Sequence, residues 1–222
     1  MDNFADFMIN NKQEFTPLIK LFIMLTFLMF IPTVIFMMTS FVRITITFSF
    51  IKSALGAQQS IPNQILIGLA IALTVFIMAP TINQINENAI KPYIEEEINF
   101  EQLLEEAQVP VRKFLLNQTR EEDIKLFVDN SDIDKEELTK ENIPLYVLVP
   151  AFAISELKTA FQIGFLIYLP FLLIDLVVSS TLMSMGMFML PPAMISLPFK
   201  LLLFVMVDGW NLLIESLLLS FT

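Results

Sequence analysis

The chain has 222 residues, of which 55% are hydrophobic, and its mean hydropathy is +0.69. This composition is typical of a membrane protein and excludes an ordinary soluble domain. The absence of Cys and His removes disulfide bonds, thiolate chemistry and the commonest metal ligand and general base, so we expect no metal site and no cofactor. Most of the net charge of −10 lies in residues 87–141, where 16 acidic and 7 basic residues give −9. Such an acidic surface excludes nucleic acid as a partner.

Two apolar runs near the N-terminus predict a helical hairpin in the membrane. Leu21–Val42 is a charge-free run of 22 residues, long enough to span a bilayer, and Pro32 near its middle predicts a kink. The segment Arg43–Lys52 alternates polar and apolar residues. We interpret it as a continuation of the same helix, because an open strand edge cannot face lipid. The second run, Ile65–Ala79, is predicted to end at Pro80.

The acidic insert that follows is predicted to be a small helical lobe outside the cytoplasm. The connection between the two apolar runs contains Arg43 and Lys52 and no acid, which indicates that it faces the cytoplasm and that the insert faces out. Apolar residues recur at helical spacing from Phe100. Thr119–Glu122 fits a capping box that would start a second helix, and Asp134 is expected to cap a further turn.

The C-terminal third is apolar but is interrupted by charges and helix breakers. Leu176–Phe199 is 24 residues long without a charge, with Asp175 before it and Lys200 after it. Pro170 and Pro191-Pro192 predict a division into shorter helices. Two spanning helices and a hairpin that only partly enters the bilayer are both compatible with this pattern.

The predicted fold is therefore all-α, with membrane-associated helical hairpins and a small acidic extracytoplasmic lobe. We divide the chain into an N-terminal apolar hairpin (1–86), the acidic lobe (87–148) and C-terminal apolar helices (149–222).

Several charged residues lie against apolar sequence and need partners. Glu156 and Lys200 are the most costly to leave unpaired, so we expect them to pair, within one chain or between chains. The alternative is that both reach an interface, as long Lys side chains do. Breaking a buried pair from one side is costly, so Glu156→Ala and Lys200→Ala should each cripple assembly.

The remaining charges in apolar surroundings are Lys158, Asp175, Asp208 and Arg43. We expect each Asp to accept hydrogen bonds or to meet a base, with Arg43 as one candidate. Two intramembrane aspartates also suggest an aspartyl protease that shares one proton between carboxylates. No further catalytic pattern accompanies them, so the sequence favours a protein without enzymatic activity and without catalytic residues.

Methionine occupies every second position in one short stretch of the C-terminal third. Met183, Met185, Met187 and Met189 alternate along the chain, and Gly186 lies among them. In an extended or broken segment this spacing places them on one side, where flexible thioethers could form a deformable seal. The plainer interpretation is that they fill an ordinary core.

Long motifs in this chain resemble the FliP family of flagellar biosynthetic proteins. They are MMTSFVRI, ALGAQQSIPNQILIGLA, FIMAP, KPYIEEEINFEQLLEEAQVPVRKFLLNQTREEDIKLF and the run PAFAISELKTAFQIGFLIYLPFLLIDLVVSSTLMSMGMFMLPPAMISLPFKLLLFVMVDGWNLL. The resemblance extends from about Leu28 to Leu213. The segment PNQILIGLAIALT resembles the sequences of the flagellar branch more than those of the virulence-secretion branch, the SctR/YscR family.

The resemblance implies a core subunit of a type III export gate in the bacterial inner membrane, at the flagellar basal body. Family members form a homo-oligomer, thought to be pentameric, with the partner proteins FliQ and FliR. The assembly surrounds a passage through which unfolded flagellar subunits cross the membrane. The family's helices are also thought to lie partly above the bilayer, which would accommodate the charges and prolines.

The resemblance also implies that the methionine-rich loop before the double proline is a gasket closing the passage. The matching residues are Met187, Phe188 and Met189, where family members often have three consecutive Met, so Phe188 is a departure that keeps bulk and loses flexibility. Contact between the positions of Glu156 and Lys200 is implied as well. A virulence-secretion homologue and a small-solute transporter with a proton path through its charges remain the alternatives.

Overall fold

The computed structural model describes residues 12–57, 61–131, 133, 139 and 142–221. Within these ranges the regular elements are helices, and the predicted all-α class is confirmed. The helices are α1 (Lys12–Met37), α2 (Phe41–Ala54), α3 (Asn63–Ile85), α4 (Lys91–Ile94), α5 (Phe100–Gln118), α6 (Glu121–Asp129), α7 (Leu145–Ser184), α8 (Pro192–Met206) and α9 (Gly209–Leu219). A π-helical segment, Asn86–Ile90, joins α3 to α4.

The chain divides into two compact units after Met37, and the first is described by α1 alone. Its stretch Ile19–Met37 has a mean hydropathy of 2.3 and is long enough to span a membrane. The span predicted as Leu21–Val42 therefore ends earlier, because the chain leaves the helix at Met38. The division into residues 1–86, 87–148 and 149–222 stays a prediction.

Helix α2 lies at the centre of the second unit, residues 38–222. It begins after a break at Met38–Ser40, so the predicted continuation of the first helix is wrong, although the segment is helical as predicted. Its alternating hydroxyls fit a helix because they bond to the preceding turn. Thr45 Oγ1 donates to Phe41 O at 2.8 Å, and Thr47 Oγ1 donates to Arg43 O at 2.8 Å.

The main apolar core joins α2 to α7, α8 and α9. From α2 it takes Ile44, Phe48 and Ile51, and it also includes Phe171, Phe204, Leu213 and Leu217. Helix α7 approaches α2 closely at Gly164, where an added Cβ would lie 2.4 Å from the ring of Phe50. Position 164 therefore requires glycine because the space between the two helices is too small for a Cβ, and not because of its backbone conformation.

Prolines do not end the long helices, contrary to two predictions. Helix α3 continues through Pro80, and with the π-helical segment it forms a 32-residue apolar stretch to Ile94. Helix α7 runs for 40 residues through Pro150 and Pro170. The apolar run Leu176–Phe199 is instead divided by the break at Met185–Pro191.

Three described helices are long and apolar enough to cross a membrane: α1, α3 with its extension, and α7. Helices α8 and α9 pass the same test together but are bent by 64°. The bend is at Asp208, whose φ of 51° and ψ of 52° place it in the left-handed region.

Helices α5 and α6 form the acidic lobe and pack against the N-terminal part of α7. Leu115, Ile143, Leu148 and Phe152 form a second buried cluster there. The lobe thus rests on a neighbouring helix, as its small size predicts.

The capping box of the lobe is not where the sequence analysis placed it. Asn99 and Gln102 cap α5 reciprocally, with bonds of 2.9 and 3.0 Å. Thr119 ends α5 and Arg120 precedes α6 without a side-chain cap, so the predicted box at Thr119–Glu122 is wrong. The predicted cap at Asp134 lies outside the described residues.

Candidate functional site: buried ion pairs and an exposed methionine loop

Arg43 is the centre of a buried polar network. Its side chain is only 2% exposed and forms a forked ion pair with Glu156, which is fully buried. Nε donates to Glu156 Oε2 at 2.9 Å, and an Nη2 hydrogen bonds to Oε1. This two-pronged geometry is the strongest arrangement of guanidinium with carboxylate.

The rest of the Arg43 guanidinium binds the lobe and the C-terminal segment. Nη2 also donates to Gln118 Oε1 at 3.1 Å, and Nη1 donates to the Ser220 carbonyl at 2.6 Å and hydroxyl at 2.9 Å. The ring of Phe221 lies 3.8 Å from the guanidinium carbon. A single Arg thus connects α2, α5, α7 and the segment after α9.

Lys200 has a different partner from the one predicted. Its Nζ donates to Asp175 Oδ2 at 2.6 Å, and Ser196 Oγ donates to Asp175 Oδ1 at 2.6 Å. The predicted Glu156–Lys200 pair is therefore not formed within the chain. The physical reason is packing: α2 rather than α8 lies against α7 at Glu156. The expectation that Asp175 meets a base is confirmed, although the base is Lys200 and not Arg43.

Lys158 pairs with Asp123 of the lobe, a residue that the sequence analysis did not single out. Burial of Asp123 would raise its pKa, but the hydrogen bonds from Lys158 and Ser155 and the charges of Lys158 and Arg120 outweigh it. The pKa of Asp123 is therefore held below its usual range. This ion pair fastens α6 to α7.

Asp208 behaves differently from the other three acids. It is exposed, and within the part of the chain that the structure describes its side chain makes no hydrogen bond or ion pair. The described chain supplies neither the hydrogen bond nor the base expected for Asp208, and that expectation stays a prediction. Asp208 occupies the tip of the bend between α8 and α9.

The methionine row lies where α7 ends and the chain turns towards α8. Met183 is in the last turn of α7, while Met185, Met187, Phe188 and Met189 are in the connecting segment 185–191, which we call the methionine loop. All five are exposed, Phe188 to 78% and Met189 to 96%. Gly186 makes the turn with a φ of +72°. The predicted broken segment is confirmed, and the interpretation of these methionines as ordinary core is wrong for this chain.

Some contacts could not be found from the sequence. Gln118, Ser220 and Phe221 complete the environment of Arg43, and Gln118 Nε2 also donates to the Phe221 carbonyl at 3.1 Å. None of them stands out by composition or spacing. Only the capacity of a buried guanidinium for five donor bonds indicates that such acceptors must exist.

Comparison with known protein families shows to which family the chain belongs. A model of the FliP family matches residues 24–217. The chain belongs to the FliP family. The resemblance read from the motifs of the sequence is therefore confirmed, over nearly the same residues.

Individual FliP proteins are similar over almost the whole chain. The flagellar biosynthetic protein FliP of Bacillus subtilis (strain 168) is 51% identical over 212 residues, which are 96% of this chain and 96% of that protein. The FliP of Pectobacterium carotovorum is 50% identical over 96% of this chain and 82% of its own length. The FliP of Aquifex aeolicus (strain VF5) is 47% identical, covering 91% and 85%.

Proposed function

We propose that this FliP family member is a core subunit of the flagellar protein-export gate in the bacterial inner membrane. It builds part of the wall and the seal of a passage for unfolded flagellar proteins and has no catalytic role. Membership of the FliP family and relatives named flagellar biosynthetic proteins support this role. The span-length apolar helices support the membrane location.

One observation carries the proposal: the methionine loop is apolar and exposed. Met187, Phe188 and Met189 lie in the turn after α7 and are 41%, 78% and 96% exposed. Burying a large apolar side chain contributes about 1.5–3 kcal/mol, so an exposed group of them favours association. The loops of several copies meeting around an axis would supply that burial and close a pore.

Such a ring would seal by excluding water rather than by a fixed plug. A hydrophobic constriction blocks hydrated ions because its walls do not replace their hydration shells. Methionine side chains have low torsional barriers, so the ring can widen around an unfolded polypeptide and close behind it. Phe188 adds apolar bulk but is stiffer, which makes the seal of this chain tighter and less adaptable.

The assembly would be a homo-oligomer, expected to be pentameric, together with FliQ and FliR. The ion pairs of Arg43 with Glu156 and of Lys200 with Asp175 keep the helices of one subunit in register, so that its loop projects at a defined level. The lobe within residues 87–148 would lie outside the cytoplasm. Contact of Glu156 or Lys200 with another copy remains part of the proposal, additional to their partners within the chain.

Replacing Met187, Phe188 and Met189 by Ala tests the seal. In cells we expect small ions and sugars to leak through the membrane while export of flagellar proteins continues. The matched control replaces three exposed apolar residues of α8, Met194, Val205 and Met206, by Ala, and we expect no leak. A membrane without a leak in the loop variant, or an equal leak in the control, would contradict the role of the loop as a seal. Loss of solute uptake without a leak would favour a small-solute transporter.

A further inference from the structure

Four exposed methionines follow one another closely in and just before the methionine loop. The chain contains 13 Met and no Cys, so all of its sulfur atoms are thioethers. Four of them, each between 41% and 96% exposed, belong to Met183, Met185, Met187 and Met189. By contrast, Met78 in α3 is only 6% exposed. An exposed thioether is open to reagents in solution, from which a buried one is protected.

The backbone of the turn sets how far these side chains reach into solvent. Gly186 N donates to Met183 O at 3.0 Å, and Met187 N donates to Leu182 O at 3.0 Å. These two bonds end α7 and satisfy two of its last carbonyl groups. Met187, which is bonded back to the helix, is the least exposed of the four, and Met189 is the most exposed. Exposure therefore rises from the anchored part of the turn towards Met189.

The sequence around these sulfurs offers no side-chain donor to a more polar group. From Met185 to Ala193 no side chain carries an N–H or an O–H, and Leu176–Phe199 carries no charge. An oxygen atom added to one of the sulfurs would be a hydrogen-bond acceptor without a side-chain donor in its own segment. Burying a polar group without a hydrogen bond is costly, so this oxygen would bind water instead.

We propose that the methionine loop is a site of reversible sulfur oxidation by hydrogen peroxide, and that oxidation opens the seal. The thioether sulfur attacks one peroxide oxygen, and the O–O bond breaks. The proton of the transferred oxygen passes to the departing hydroxide, so the products are methionine sulfoxide and water. Sulfur gives up one electron pair, and the peroxide is reduced by it. The product is a polar side chain in place of a flexible apolar one.

The effect on the passage rests on the proposed function, in which the loops of several copies form a hydrophobic constriction. Such a constriction is closed as long as it stays dry. Sulfoxide oxygens bring water into it, and a wetted constriction conducts small ions. The phenyl ring of Phe188 does not take up oxygen from the peroxide, so the oxidised loop keeps one apolar side chain. Sulfoxide reductases, one for each sulfoxide epimer, restore the thioether and with it the seal.

Membrane vesicles from cells that carry the assembled gate provide the test. They are treated with hydrogen peroxide, the excess is removed with catalase, and efflux of a trapped small sugar is measured. We expect efflux to become about tenfold faster, because an unsatisfied polar group disfavours a closed contact by about such a factor. Peptide mass mapping should locate the added oxygen at the loop methionines, with Met78 as the protected internal reference. The two reductases together should return efflux to its starting rate.

Variants without the loop sulfurs separate this oxidation from other damage by peroxide. Replacing the four exposed methionines by Leu keeps their apolar volume, so we expect no leak before or after peroxide. The matched control replaces Met194 and Met206, both exposed on α8, by Leu and should leave the peroxide response unchanged. Phe188→Met adds a thioether at an exposed position and should open the seal at a lower peroxide dose. This variant tests the inference even if the chain with four Leu replacements does not assemble.

Four results would overturn the inference. The first is an equal peroxide-induced leak with and without the loop sulfurs, and the second is an unchanged peroxide dose for Phe188→Met. The third is a loop that stays unoxidised while Met194 and Met206 are oxidised. The fourth is an oxidised loop without faster efflux. The Ala variant of the methionine loop distinguishes this fourth result from failure of the proposed function. If that variant leaks, only the oxidative opening is rejected, whereas a variant without a leak rejects the seal as well.

Discussion

At the scale of single residues, the pairing in the buried polar network depends on which cation can satisfy a fully buried carboxylate. Glu156 has no access to water, so its partner must supply two aligned donors, and the planar fork of Arg43 does so. Lys200 offers a point charge and pairs with Asp175, which keeps partial solvent access. That these residues need partners could be predicted from the sequence, whereas the partners depend on which helices pack together.

A pair of double-mutant cycles distinguishes the observed pairing from the one predicted. Arg43→Ala and Glu156→Ala should each destabilise the chain by about 3–5 kcal/mol, because each leaves one buried charge alone. The double variant should lose much less than the sum of the two. The cycle on Glu156 and Lys200 should show no coupling in the isolated chain. Unfolding of the detergent-solubilised protein measures both cycles, and strong coupling in the second would contradict the observed pairing.

The Asp123–Lys158 pair should make lobe docking sensitive to acid. The folded-state pKa of Asp123 is lowered, so its contribution is complete above the unfolded pKa of about 3.9 and is lost as the pH falls through the lower folded value. Lys158 is 46% exposed, which limits the contribution to below about 1 kcal/mol.

Fluorescence anisotropy can follow this docking. Lys125 is exposed on α6, and the chain has no other cysteine, so Lys125→Cys carries a single label. At pH values below about 4 we expect a small decrease in anisotropy, because protonation of Asp123 weakens the docking of α6 and gives the label more freedom. Asp123→Asn should show the lower value already at neutral pH and little change with acid. An identical acid transition in both proteins would exclude Asp123 as its cause.

At the scale of helices, hydropathy predicts where the long apolar elements lie, and proline misleads about where they end. The sequence predicts interruptions at Pro80 and Pro170, yet α3 and α7 continue through them. In apolar surroundings a true break would expose several backbone groups, whereas a proline within a helix removes one hydrogen bond. Glycine with a positive φ, as at Gly186, marks the actual end of α7.

The close packing of α2 on α7 makes Gly164 a sensitive position. Gly164→Ala would place a methyl group against the Phe50 ring, and we expect it to destabilise the chain by about 1–3 kcal/mol. Gly68→Ala is the matched control, since no atom lies within 4 Å of its added Cβ, and it should be neutral or stabilise by up to about 1 kcal/mol. Thermal unfolding of both variants measures the difference; equal effects would mean that the contact is not tight.

At the scale of the whole molecule, the length of α7 separates the lobe from the methionine loop. Its 40 residues extend about 60 Å, more than the roughly 40–45 Å of a complete bilayer. The lobe packs at its N-terminal end, and the methionine loop follows its C-terminal end. The two features therefore lie at opposite ends of α7.

The packing also changes the argument for orientation. The sequence pattern assigns Arg43 to the connection that is predicted to face the cytoplasm. It lies instead beside Gln118 at the lobe end of α2 and is neutralised by Glu156. Only Lys52, at the opposite end of α2, still supports a cytoplasmic position for that end by the bias of basic residues. The expected orientation is unchanged, but it depends on one residue instead of two.

Cysteine labelling tests this orientation directly, because the chain contains no cysteine of its own. Glu101→Cys places an exposed thiol on the lobe, and Ser184→Cys places one at the last residue of α7. In spheroplasts we expect a membrane-impermeant maleimide to label the lobe thiol from outside and the α7 thiol only after permeabilisation. The reverse pattern would mean that the subunit has the opposite orientation in the membrane. Labelling of both thiols from outside would mean that α7 does not cross the membrane. Only the expected pattern places the methionine loop at the cytoplasmic entrance of the passage, where it would close around a polypeptide as export begins.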